Sequence, residues 1–131
     1  MSRAWAWVPV LLATACGAQA APGPVETAVR EYVALRNAGD LRGLLGKSCG
    51  ALYTSTSRLL AESPDRRREV TESMRAHPVD VESVVVETSG DHDFGATLTG
   101  SARTPDGRRS ASQHVEVRRY RDGYRVCALT Y

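Results

Sequence analysis

The sequence predicts an α+β domain in which N-terminal helices pack in a curved, antiparallel four-stranded sheet closed by one disulfide. Three observations predict it. Apolar residues recur at helical spacing up to about Ala76, the period changes to two after Pro78, and two cysteines far apart in the chain, Cys49 and Cys127, form a natural pair.

The chain has 131 residues, and its first twenty, MSRAWAWVPVLLATACGAQA, differ in character from the rest. One early Arg3, an apolar run from Ala4 to Ala15 and small residues after it make a secretory signal. The run is shorter than the roughly 20 residues of a spanning helix, and no later segment is more apolar. Two processing sites compete. Ala18-Gln19-Ala20 before Ala21 has the small-x-small form of general cleavage, whereas Ala13-Thr14-Ala15-Cys16-Gly17 resembles a lipoprotein box in which Cys16 would be lipidated, with the usual Leu shifted to Leu12. On either route the expected product lies outside the cytoplasm, secreted or lipid-anchored to the cell membrane. Removing residues 1–20 leaves 21–24 as a small Pro/Gly linker and 25–131 as a single domain.

Helix one begins at Pro24, which suits a first turn. It places Val25, Ala28, Val29, Tyr32, Val33 and Leu35 or Arg36 at helical spacing and stops at Gly39. Asp40 caps a second helix whose inner face carries Leu41, Leu44, Leu45, Cys49 and Leu52, with Gly43, Gly46 and Gly50 making it short or broken. The segment Tyr53 to Ala61 reads either way. Ser63-Pro64-Asp65 starts a further helix that runs to about Ala76, with only Val70 and Met74 to bury, so the run Arg66-Arg67-Arg68 is its solvated face.

Strands follow at about Val79 to Thr88, Phe94 to Arg103, Arg108 to Tyr120 and Tyr124 to Tyr131, as a meander turning at Gly90-Asp91, Pro105-Asp106-Gly107 and Asp122-Gly123. The last pair is expected to form a two-residue turn with positive φ angles. Alternation then sets Arg125, Cys127, Leu129 and Tyr131 on one face, which must meet the helices if Cys127 is to reach Cys49. Whether Cys16 is removed or acylated, two thiols remain in an oxidising compartment, where an even pair bridges. A loop of that length stabilises by about 4 to 5 kcal/mol in the chain-entropy model.

Composition narrows the function classes. The net charge is only +2, which argues against a dedicated nucleic-acid binder. Lys47 is the one lysine among many arginines, a bias that a GC-rich coding sequence explains without a ligand. Both tryptophans lie in the signal, so the core must be aliphatic and small. Asp91-His92-Asp93 reads as an exposed turn, because adjacent residues splay apart and close no coordination shell. No phosphate loop, Ser-His-Asp order or Cys-x-x-Cys motif occurs, and no cofactor or metal is expected.

The segment beginning at Thr27, TAVREYVALRNAGDLRGLL, resembles the opening of the nuclear transport factor two-like superfamily and is especially similar to its ketosteroid isomerase branch. There a helix carrying a Tyr, the phrase N-A-G-D-L and a second helix occur in this order. The resemblance implies a cystatin-like cone, and Tyr32 matches the family's Tyr. It does not carry the isomerase chemistry, which needs a carboxylate base and an oxyanion pair of a Tyr and a protonated acid. From Leu41 to Leu60, where the base would lie, there is no Asp or Glu, and Gln113, before His114, stands in place of the second acid.

The expected function is therefore a non-catalytic extracytoplasmic binding or scaffold domain, its partner an unidentified protein or small apolar ligand. The alternative is a small-molecule enzyme or lipid-type ligand carrier, of the kind polyketide-cyclase-like relatives represent, with Tyr32, Tyr53, Gln113 and His114 as polar contacts at the cone mouth. An enclosed pocket of about 300 Å³ or more would favour the alternative, and a filled cone would exclude it. The sequence names no oligomeric state, and the resemblance implies that the sheet face is a surface through which a homodimer could form.

Overall fold

The computed structural model describes residues 21–130. The expected signal, both processing sites and Cys16 fall in 1–20, and Tyr131 ends the chain, all outside the described residues. Among the described residues, no helix is long and apolar enough to cross a membrane.

Four helices precede a four-stranded antiparallel sheet. Helix α1 spans Pro24–Ala38, with proline in its first turn and Val25, Ala28, Val29, Tyr32 and Val33 buried, as their spacing requires. Gly39 ends it at φ 66°, a conformation that glycine adopts without steric cost. A Cβ there would also sit 3.1 Å from the Thr71 carbonyl oxygen and 3.0 Å from Arg75 Nε, so the position is closed to side chains on two counts. Asp40 caps α2 (Leu41–Gly46), its carboxylate accepting from the Gly43 N–H at 2.9 Å.

The second helix breaks. Lys47, Ser48 and Cys49 are not helical, and α3 (Gly50–Leu60) starts afresh on the segment that the sequence left undecided. Cys49 thus lies not on the buried face of a helix but at the N-cap of α3, in extended conformation with φ −142° and ψ 173°. Gly46 and Gly50 flank the break, and extended backbone there finds partners in the sheet. Cys49 N–H donates to the Val126 carbonyl and Val126 N–H to the Lys47 carbonyl, both at 2.9 Å, forming a short parallel bridge centred on Ser48. The disulfide joins Cys49 to Cys127, 78 positions apart, beside that bridge.

Helix α4 (Pro64–Ala76) begins at the Ser63 cap and buries no residue fully. Arg66 and Arg68 of the arginine run are solvated and locally paired, Arg66 with Glu62 and Glu69 and Arg68 with Asp65, while Arg67 is half-buried and donates to the Leu60 carbonyl at 3.5 Å. With so little apolar surface, α4 is held to α1 mainly by polar contacts. Arg75 Nε donates to the Ala38 carbonyl at 3.0 Å, and Arg36 donates to the carbonyls of Met74 and His77 at the last turn of α4.

The strands β1 (Val79–Ser89), β2 (Asp93–Thr104), β3 (Gly107–Tyr120) and β4 (Gly123–Thr130) pair in sequence order. The last hairpin turns one residue earlier than expected. Tyr120 pairs with Gly123, so Arg121 and Asp122 form the loop, and the positive φ falls on Gly123 alone. A register shift beside Glu116 leaves Cys127 as the extra residue of β4, which resets the alternation. Leu129, opposite Val115, does face the core, but so do Tyr124 and Val126. Arg125 does not: it pairs with Asp122 at 2.8 Å and stacks over the Tyr120 ring.

The core is as small and aliphatic as the composition requires. Val29, Ala96, Val115, Val117 and Val126 are at most 1 % exposed, and buried valines of this kind contribute about 1.5 to 3 kcal/mol each.

Candidate functional site

The inner face of the sheet is only half covered. A 15-residue helix such as α1 reaches about 22 Å, whereas the 14 residues of β3 extend about 46 Å. Along the inner face of β3, burial accordingly fades from Val117 and Val115, through a half-buried Gln113, to exposed Ala111 and Arg109. Between α1 and this end of the sheet lies a half-open cavity of about 420 Å³.

Each wall follows from its element's period. Helix α1 contributes Tyr32, Val33 and Arg36, which lie one turn apart, and the start of β1 contributes Val79. Leu98, Gly100 and Ala102 of β2 and Gln113, Ala111 and Arg109 of β3 alternate inward, with Leu129 of β4 beside them. The space exists because three of these positions are Gly or Ala.

Asn37 fixes the rim. Its side-chain amide donates to the Val79 carbonyl at 2.8 Å, and its oxygen accepts from the Val79 N–H at 2.9 Å. The amide thereby pairs with the first residue of β1 as a neighbouring strand would. Arg36, one residue before it, donates from Nη1 to the Met74 and His77 carbonyls and, at 3.2 Å, to Asn37 Oδ1, so that corner of its guanidinium is anchored.

Three other polar side chains on the wall are free. Among the described residues, Tyr32, Gln113 and Arg109 make no side-chain hydrogen bond and Arg109 has no ion-pair partner, although all three line the cavity. Burial pushes the Tyr32 phenol above its usual pKa of 10, so at neutral pH it remains a neutral hydroxyl. No Asp, Glu or His is among the described residues of the wall. The arrangement can hold an apolar body and hydrogen-bond a polar end, but it contains no group suited to proton abstraction near neutral pH.

Of the four residues expected at the mouth, the structure brings Tyr32 and Gln113 together on this wall. Tyr53 lies instead on α3, 47 % exposed, because the α2–α3 break turns that helix away from the cavity. His114 points to the opposite face of the sheet, since it neighbours Gln113 on a strand. There it borders a shallow hollow of about 260 Å³ with Glu116, Arg118 and Asp93. Asp93 pairs with Arg118 at 2.8 Å, and among the described residues no group of three His, Cys, Asp or Glu could hold a metal ion.

Sequence reasoning missed Arg109, Ala111 and Val79. The signal was present, because stepping back by two from Gln113 reaches Ala111 and then Arg109 on the same face.

The outer face of the sheet contrasts with this wall. Thr99 bonds Ser112 at 2.9 Å, Ser110 donates to Glu82 at 2.9 Å and Arg108 pairs with Asp80, so those polar groups satisfy one another. No protein-family model matches the chain, and no curated protein is significantly similar to it.

Proposed function

We propose that this domain is a non-catalytic extracytoplasmic binding module that takes one small, largely apolar molecule into the cavity between α1 and the sheet. The observation that carries this reading is the wall: about 420 Å³ of space lined by Val33, Val79, Leu98 and Leu129, with unpartnered Tyr32 and Gln113 and no carboxylate. The volume falls within the range of about 300 to 1,000 Å³ usual for small-molecule sites. Ligand carriage is thus favoured over a purely scaffolding role, and an isomerase-like reaction would lack its base.

The frame is read as nuclear-transport-factor-two-like on the Thr27 segment, with its Tyr32 and N-A-G-D-L corner, and on the order of helices before a meander. The extracytoplasmic setting rests on the apolar N-terminal segment and agrees with the Cys49–Cys127 disulfide.

Binding is tested by the melting temperature of the oxidised protein against decanol, since a ligand of the folded state stabilises it by mass action. Saturable stabilisation is expected for the native chain and none for Ala111→Trp, which fills the cavity from an exposed position. Equal responses from the two proteins would reject the cavity as the site.

A further inference from the structure

Resting on the cavity reading above, we infer that the ligand carries a single carboxylate, held at the cavity mouth by Arg109 while its apolar body lies inward against Val33, Leu98 and Leu129. The inference begins with charge. The described wall holds two guanidinium groups and no carboxylate, an imbalance that a ligand of opposite charge would relieve.

The two arginines are not equivalent. Arg36 is anchored through Nη1 to the Met74 and His77 carbonyls, which fixes its guanidinium beside the last turn of α4. Arg109 is uncommitted. Its cross-strand neighbour is Ala102, β4 does not extend to that level of β3, and no Asp or Glu forms an ion pair with it among the described residues. A guanidinium with free N–H groups in planar array suits a carboxylate's two oxygens.

Position selects the orientation. Arg109 is exposed, whereas Tyr32 and Gln113 lie deeper. A carboxylate at the mouth keeps part of its hydration and meets the guanidinium; placed at depth, it would lose water against two neutral donors. A carboxylate's two oxygens match the one wall guanidinium that has no hydrogen-bond partner among the described residues. On the outer face, Arg108 and Arg118 already pair with Asp80 and Asp93.

The test compares molecules of one chain length and different heads, by calorimetric titration of the full, oxidised protein with decanoate, decanol and decylamine. Decanoate is expected to bind about tenfold more tightly than decanol, the worth of one charge-assisted hydrogen bond in a partly hydrated place, and decylamine more weakly than either. Arg109→Gln should abolish the preference for decanoate over decanol, and Arg109→Lys should restore part of it. Decanol binding as tightly as decanoate, or Arg109→Gln keeping the preference, would overturn the inference while sparing the cavity. If no compound binds, or if Ala111→Trp binds them all unchanged, the cavity reading falls and the inference with it.

Discussion

The two ends of β3 face the same side of the sheet and differ in almost every other respect. At the Val115–Val117 end, the inner positions are fully buried, β4 is laid alongside, and the Ser48 bridge and disulfide tie the α2–α3 connection to the next strand. At the Arg109–Gln113 end the described residues of β4 have ended, opposite His114, α1 stands across a cavity, and the inner positions are small or polar. One strand thus serves stability at one end and leaves space at the other. The difference comes from composition, valine against alanine and arginine on the same alternating face, together with the limited length of α1.

Mutations should separate the two ends, and the largest effect belongs to the disulfide. Replacing both Cys49 and Cys127 with serine is expected to cost about 4 kcal/mol, by constraining the unfolded chain less, and denaturant titration would measure it. A loss under about 1 kcal/mol would mean that the parallel bridge alone secures this end.

Next comes Val117→Ala, which removes two buried methyl groups and should cost about 2 kcal/mol in the same measurement. Asn37→Leu should follow at about 1 to 2 kcal/mol, because it strips both partners from the Val79 backbone. It should also weaken decanol binding, since Val79 lines the cavity, whereas Val117→Ala should not.

Tyr32 joins the two ends and has a pH signature. Its phenol, raised by burial, binds its proton more tightly folded than unfolded. Stability is therefore intact below the unfolded value of about 10 and declines as pH rises towards the folded value. Tyr32→Phe should remove that part of the alkaline decline, which would show in melting temperatures followed from neutral to strongly alkaline pH. The smallest effect belongs to the open end, where Arg109→Gln should change stability by no more than about 0.5 kcal/mol.

Local chemistry made much of the fold legible. Pro24, Gly39, Asp40 and Ser63-Pro64 act within one turn of themselves, and the helices they bound lie where those residues indicate. The change to period two at Pro78 located all four strands. What was not legible depends on partners distant in the chain. The bulge at Cys127 forms against Glu116 and Val117, so alternation counted along β4 alone misassigns Arg125. The extended Cys49 is explained by Val126, 77 residues later, rather than by its own helix. Asn37 reads as part of a helix–helix corner, yet its hydrogen bonds go to a strand that starts 42 residues further on.

The candidate site was half legible for the same reason. Tyr32 and Gln113 could be named because their faces follow from period, while Tyr53 was misplaced by a break whose direction the sequence does not encode. The space itself depends on how α1 lies over the sheet, which is a relation between elements and belongs to neither.

The bridge at Ser48 has a further consequence, for association. It occupies the Val126 N–H and carbonyl in the middle of β4, so no foreign strand can run along that edge unbroken. The opposite edge, β1, keeps open backbone groups but is kinked by register shifts around Glu82 and Glu87, with Val85 and Val86 exposed between them. Fibre growth by strand addition needs two usable edges per molecule, and this fold presents one. Edge-to-edge joining can therefore stop at a pair but has no second edge from which to propagate.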